Sequence, residues 1–283
     1  DLGFEKNGFD VDLVNEFQPE FLRAYKFSRQ KMGLRTPRFG YFNIDINEFL
    51  GSRKKELNEY VEIVRSEGDL LGFIGGPPCP DFSIAGKNRG RNGDNGKLSK
   101  SYVDLIIEMK PDFFLFENVK GLWKTARHRE FYEELKTSIH KAGYVTTDRL
   151  TNAIEFGAPQ DRDRIILFGI KKNTLSSDSA IADFPWNAYR TYNLDEIKNM
   201  NWPTTDPFLE NSSMKCPSNI PEQFTVEYWF RKNGVEHHPN ASDFFTPHSG
   251  LSRMQSIDEG DVSKKSYKRL HRWRYSPTVA YGN

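Results

Sequence analysis

The stretch LLGFIGGPPCPDFS, Leu70 to Ser83, decides how this chain is read. Its apolar start predicts a buried strand, and the glycines and prolines after Ile74 predict a tight, stiff turn. Gly75 and Gly76 permit close approaches that a side chain would block. Pro77 and Pro78 fix φ and hold Cys79 at one height above the strand end. Open α/β sheets carry their chemistry beyond the carboxyl ends of the strands, so Cys79 is a candidate nucleophile or ligand. A lone cysteine is more often a small core residue, and only its surroundings argue otherwise here.

Working outward, strands and helices alternate. Upstream, Asp1 to Phe9 reads as the end of a helix stopped near Gly8, and Val11 to Asn15 as a short strand that runs into Glu16. Phe17, Phe21, Leu22 and Tyr25 recur at helical spacing with Pro19 in the first turn, which predicts a helix over roughly 19–32. A strand near 39–44 runs into Asp45. Leu50, Leu57, Val61 and Val64 mark one face of the next helix, which Gly68 closes. Downstream, Tyr102, Ile106 and Met109 predict a helix that ends before Pro111, and Phe113 to Phe116 a fully apolar strand ending in Glu117-Asn118-Val119. Phe131, Leu135 and Ile139 define another helix, closed by Gly143. Two further strands flank residues 156–164, with Arg162 and Arg164 alternating towards one face at the start of the last, 165–170. Those arginines are either ion-pair partners of acids or the lining of an anionic site. Glu16 and Asp45 at neighbouring strand ends favour a nucleoside site over two solvated loop acids.

The 283 residues carry 40 Lys+Arg against 39 Asp+Glu, so any nucleic-acid partner must be met by local patches and not by a whole-molecule field. One such patch is the glycine-punctuated loop after Cys79, with Lys87, Arg89, Arg91, Lys97 and Lys100, which suits closure over a phosphate backbone or is a plain solvated loop. Another is KKSYKRLHRWR, Lys264 to Arg274, where six basic residues and no acid alternate with aromatics. After Lys172 the periodicity fades into a loop-rich second module containing Cys216 and His237-His238, whose spacing fits no metal signature. Two cysteines far apart predict a reducing compartment, and no run is long enough to span a membrane. The chain starts at Asp1 without a methionine, and a segment upstream of it is expected.

Four stretches, GGPPCPDFS at Gly75, FENVKGL at Phe116, QDRDR at Gln160 and RYSPTVAYGN at Arg274, stand in the order of the motifs of the cytosine-C5 DNA methyltransferases. With VNEF at Val14 and the Ile44-Asp45-Ile46 triplet, the chain resembles that family, in its bacterial restriction-modification form, over almost its whole length. The resemblance implies a Rossmann-like S-adenosylmethionine-dependent methyltransferase sheet with helices on both faces, plus a smaller loop-rich target-recognition domain. Residues 1–172 are then the catalytic, cofactor-binding domain, 173–268 the target-recognition domain and 269–283 a segment returning to the catalytic one. Cys79 is expected to attack C6 of a flipped-out cytosine, because C5 is a poor nucleophile until a soft, detachable group adds at C6. Glu117, in a protonated form, is expected to hold N3 and the exocyclic amine, and Arg162 and Arg164 to orient the base and the loop. S-adenosylmethionine is the implied methyl donor, leaving as S-adenosylhomocysteine, with Glu16 on the ribose hydroxyls, Phe17 against the adenine, Asp45 at its amine, and Ile46, Pro78 and Leu98 as further contacts. No metal is implied. Double-stranded DNA is the implied partner, met by Ser83, Lys87, Arg89, Arg91, Lys268, Arg269 and Arg272. A cognate restriction endonuclease acting separately and a cytoplasmic location complete the expectation.

The sequence departs from the family in three places. The glycine-rich FxGxGG turn that opens family members and the motif that follows their SPTV segment are not among these residues. Pro80 stands where glutamine is often found. Two alternatives therefore stay open: a transfer-RNA cytosine-C5 methyltransferase with the same cysteine, and a non-catalytic DNA-binding fragment of the same fold. A nucleotide-dependent oxidoreductase fits the αβ pattern alone and leaves the proline-cysteine turn unexplained.

Overall fold

A computed structural model of the chain describes residues 1–78, 94–174, 181, 184–209, 212, 214–242, 251–263 and 268–278. It divides into two compact units, the first of residues 1–150 and 164–184, the second of 151–163 and 185–283.

In the first unit, α1 (Leu2–Glu5), β1 (Val14–Asn15), α2 (Pro19–Lys31) and β2 (Tyr41–Phe42) are followed by α3 (Ile46–Leu50), α4 (Lys54–Ser66) and β3 (Gly72–Gly75). Then come α5 (Asp94–Met109), β4 (Phe113–Val119), α6 (Lys120–Lys124), α7 (Ala126–Lys141), β5 (Tyr144–Asn152), and, after β6 (Gln160–Asp161), β7 (Asp163–Lys171). Helix α2 begins on Pro19, whose missing N–H costs nothing in a first turn, and passes through Met32 to Gly33 at φ 65°. Leu50 does not share a helix with Leu57. Gly51 ends α3, and α4 starts afresh with Leu57, Val61 and Val64 buried.

Four strands form a mixed sheet in the order β3-β4-β7-β5, with β3 parallel and β7 antiparallel to β4, while β1 and β2 pair in parallel separately. On one face of β4, Phe114 and Phe116 pack with Val103 and Ile106 of α5 and with Tyr132, Leu135 and Ile139 of α7. On the other, Phe113 meets Phe4 and Phe9, ring centroids 6.4 and 5.7 Å away. Helical segments thus cover both faces, as a strand as apolar as Phe113–Phe116 requires. Each buried phenylalanine contributes on the order of 2 kcal/mol. Among the described residues β3 is the outer strand of the four-stranded sheet, with Leu70 64% and Ile74 37% exposed.

The second unit is loop-rich, with short helices at Leu194–Lys198, Val226–Lys232 and Leu251–Gln255. Its core is aromatic: Trp202, Phe224, Trp273 and Tyr275 close around Ile154, Ile197 and Ile220. Its boundaries differ from the expected 172/173 and 268/269. Residues 151–163 and the last described residues belong to this unit because β6 pairs in parallel with β8 (Ser276–Pro277), Gln160 opposite Ser276. Among the described residues no helix is long and apolar enough to cross a membrane.

Candidate active site

The carboxyl ends of β3 and β4 build the first part of the site. Glu117 lies in β4 opposite Ile166, and Arg164 enters β7 opposite Val119. The Arg164 Nε lies 2.6 Å from Glu117 Oε1, with the carboxylate side chain 34% exposed. Arg164 thus pairs with an acid, one of the two roles the sequence left open to it. Its neighbour Asn118 is buried, and its Nδ2 donates to the Pro77 carbonyl at 3.3 Å, while its Oδ1 accepts from Val119 N–H at 2.8 Å. Asn118 thereby ties the end of β4 to the proline turn that leads into Cys79. The two glycines before that turn leave unequal room for a side chain. A Cβ on Gly75 would come within 2.6 Å of the Tyr102 ring, which is fixed by its hydroxyl donating to the Leu115 carbonyl at 2.9 Å. A Cβ on Gly76 would sit 3.0 Å from Glu117 Oε2.

The second part lies past β1 and β2, whose parallel register brings Glu16 and Asp45 to adjacent strand ends. Glu16 Oε1 accepts from Gln18 N–H at 2.8 Å. Asn43 donates through Nδ2 to the carbonyls of both Glu16 and Phe17, each at 2.7 Å, and so shapes the loop that presents them. The Phe17 ring is 61% exposed. Asp45 caps α3, and its Oδ1 accepts from Asn47 N–H and Nδ2–H, both at 2.8 Å. Ile46 packs into the core beside it, Leu98 is half-buried on α5, and Pro78 is exposed after β3. Each of the two carboxylates keeps an oxygen, Glu16 Oε2 and Asp45 Oδ2, without a hydrogen bond among the described residues. Two acceptors and an exposed aromatic ring at neighbouring strand ends match the hydroxyls, amine and π-face of a nucleoside.

In the second unit two arginines of the basic segment make internal contacts. Arg272 donates from Nε to both oxygens of Glu259, at 2.8 and 3.0 Å, pairs with it again through Nη2, and donates from Nη1 to the Ser212 carbonyl at 3.1 Å. Burial raises the pKa of Glu259, but the hydrogen bonds from Arg272 outweigh it and hold the carboxyl below its ordinary range. Arg269 lies over the Phe208 ring at 3.4 Å and donates to the carbonyls of Ile257 and Met254. His271 is buried, with Nε2 2.8 Å from Asp206 and Nδ1 accepting from Trp273 N–H. Arg269 and Arg272, expected at DNA phosphates, are thus engaged inside their own unit, while Lys268 is exposed. Arg162 lies in the second unit between β6 and β7, ahead of the strand it was expected to share with Arg164, and its carbonyl accepts from Ala153 N–H. Burial pushes the Cys216 thiol up, away from nucleophilic use. No three metal-ligating side chains converge among the described residues.

Cys79, Ser83, Lys87, Arg89 and Arg91 lie outside the described residues. The sequence reading missed Asn43, Asn47, Ser101 and Glu259, which act through partners distant in the chain. Asn118 was visible, since it stands inside the quoted FENVKGL stretch, but its tie to Pro77 was not.

A family model described as C-5 cytosine-specific DNA methylase matches residues 1–280. The chain is 54% identical to the Type II methyltransferase M.NmeDI of Neisseria meningitidis serogroup C over 284 residues, covering 100% of this chain and 66% of that protein. It is 36% identical over 173 residues to the Type II methyltransferase M.XorII of Xanthomonas oryzae pv. oryzae, 60% of this chain and 38% of that protein. The chain therefore spans about two thirds of the first relative and under half of the second. A crystal structure assigned as a DNA modification methyltransferase encoded within an E. coli prophage superimposes with a TM-score of 0.51 at 20% identity, over 98% of this chain and 78% of that one. That likeness fixes the fold as a methyltransferase α/β fold.

Proposed function

We propose, from the premise that this chain belongs to the C-5 cytosine-specific DNA methylase family, that the protein methylates C5 of a cytosine flipped out of duplex DNA at a specific sequence. The observation that carries the reading is the Glu117–Arg164 pair beside Gly76, with Asn118 holding the turn that leads to Cys79. An acid, a cation that orients it and a displayed thiol are the groups this chemistry needs.

The Cys79 thiolate adds to C6, and the electron pair of the C5=C6 bond moves to C5 while Glu117 donates a proton to N3. Arg164 keeps the Glu117 side chain aimed at that edge of the base. S-adenosylmethionine, held by Glu16, Phe17, Asp45, Ile46, Pro78 and Leu98, supplies a sulfonium-bound methyl group and leaves as S-adenosylhomocysteine. C5 takes the methyl group, then loses its proton to solvent. The C6–S bond breaks, the C5=C6 bond re-forms, N3 returns its proton, and Cys79 is regenerated. The backbone at Pro77 and Pro78 faces the amino edge of cytosine, which rejects thymine because its O4 is an acceptor.

The catalytic role expected of residues 1–172 passes to the first unit, and the choice of target sequence to the second. The basic residues Lys87, Arg89 and Arg91, with Ser83, are the proposed contacts to the DNA backbone. The two relatives carry Type II names, so a separate restriction endonuclease of the same target is the proposed counterpart, with both enzymes in the bacterial cytoplasm where the DNA lies.

The test is covalent trapping of the full natural chain with S-adenosylmethionine and duplexes containing 5-fluorocytosine, whose fluorine cannot leave as a proton does. A cofactor-dependent adduct mapped to Cys79, absent in Cys79→Ala, is the expected result. An adduct on transfer RNA and none on DNA overturns the substrate. No adduct on either overturns the enzyme.

A further inference from the structure

Asp45 is held from one side only. Its Oδ1 accepts both the backbone N–H and the Nδ2–H of Asn47, while Oδ2 has no hydrogen-bond partner among the described residues. A carboxylate only accepts, so the Asn47 amide must turn its nitrogen to Asp45 and its oxygen away. That oxygen meets the Ser101 hydroxyl at 2.7 Å, in a contact that reaches from α5 across 54 positions of sequence. Ser101 is 8% exposed. Among the described residues its single proton has one other acceptor in reach, the Lys97 carbonyl at the longer distance of 3.1 Å.

We infer that Ser101 and Asn47 are positioning residues that aim the free oxygen of Asp45 at an exocyclic amine, and so set the preference of this site for adenine over a 6-oxo purine. The inference rests on the proposed reading, in which Asp45 accepts from the adenine amine of the methyl donor. Asn47 is itself exposed, and without the Ser101 hydroxyl its amide is free to turn its oxygen onto the Asp45 carboxylate, acceptor against acceptor. The same contact joins α3, which follows Asp45 and begins at Ile46, to α5, which carries Leu98. One hydroxyl therefore couples the two sides of the proposed nucleoside pocket. A 6-oxo purine presents an acceptor where adenine presents a donor, and a site built for a donor rejects it strongly.

The experiment measures, by calorimetry on the full chain, the affinities for S-adenosylhomocysteine and for its inosine counterpart, which differs in carrying oxygen in place of the amine. Wild type is expected to prefer the adenine form by about 10- to 100-fold, the worth of a hydrogen bond to a charged group. Asp45→Ala should bring the ratio to about 1. Ser101→Ala and Asn47→Ala should each lower it by about 3- to 10-fold, Ser101→Thr should restore it, and the double variant should lose no more than either single one. A merely structural hydroxyl would weaken both ligands alike, and an unchanged ratio in Ser101→Ala overturns the inference. If wild type binds but does not discriminate, or binds neither ligand, the placement of Asp45 in the proposed function fails and takes the inference with it.

Discussion

The two units each hold an arginine–glutamate pair, and the pairs are built for opposite ends. Arg272 and Glu259 have side chains 17% and 5% exposed, and the arginine engages both carboxylate oxygens and a carbonyl besides. Arg164 and Glu117 are 17% and 34% exposed, with the arginine Nε on one oxygen and the other oxygen standing over Gly76. A carboxylate with every lone pair answered from inside holds structure together. One that keeps an oxygen towards an open strand end is poised for a ligand. The difference lies in the burial of the acid, 34% against 5% exposed, since the residue types are the same.

Exchanging the two acids tests this most directly. Glu117→Gln is expected to lower the rate of methyl transfer at least about 100-fold, the usual share of a positioned acid, while a half-open ion pair is worth about 1 kcal/mol or less to stability. Glu259→Gln should do the reverse. Leaving Arg272 buried without its counter-charge is expected to cost about 3 to 5 kcal/mol in urea unfolding of the second unit. A large stability loss in Glu117→Gln, or none in Glu259→Gln, breaks the comparison. Acid should act in the same direction. The folded-state pKa of Glu259 is depressed, so its contribution is complete above the ordinary glutamate range and disappears as pH falls through the depressed value. In a pH series of unfolding, Glu259→Gln should therefore flatten the acid limb.

The two neighbouring glycines sharpen the contrast on a smaller scale. In Gly75→Ala the new methyl strikes the Tyr102 ring, which its hydroxyl bond and full burial keep from yielding, and a loss of about 1 to 3 kcal/mol is expected. In Gly76→Ala the obstacle is the end of a side chain, Glu117, that can shift by a few tenths of an ångström. Melting should barely change there, whereas methyl transfer should fall about tenfold because the acid is displaced from its aim. Equal melting losses in both variants would count against a site that separates fit from function.

The alternation of strand and helix was legible because periodicity and punctuation are local. Pro19 and Gly33 bracket α2, and Gly68 and Gly143 mark where α4 and α7 are finished. Burial was less legible. Leu70 to Ile74 has the composition of a central strand, and the one pairing seen among the described residues is with a strand about 40 positions away. Leu50 has the spacing of the next helix, yet Gly51 intervenes. In the site, Glu16, Asp45, Glu117 and Arg164 could be picked out because acids and bases at strand ends are visible in one dimension. Asn43, Asn47 and Ser101 could not, since a polar residue reveals its role only with its partner, and Ser101 finds its partner 54 residues upstream. The internal partner of Arg272 stayed hidden for the same reason. Glu259 precedes the basic run at Lys264, outside any pattern that a run of like charges displays.

That run also supplies the smallest effect and the finest test of the comparison. Lys268 is exposed, whereas Arg272 is committed to Glu259. If the second unit meets DNA phosphates through this segment, Lys268→Gln should lower the slope of log affinity against log salt by about 1, weaken binding uniformly across sequences and leave melting unchanged. Arg272→Gln should lower the melting temperature and, in the fraction that stays folded, leave the slope where it was. Both slopes are measurable by titrating one duplex at several salt concentrations well below the melting range. Should Arg272→Gln change the slope as much as Lys268→Gln with no loss of stability, Arg272 exchanges its internal partner for a phosphate on binding, and the closed pair of the second unit is as poised for a ligand as the open pair of the first.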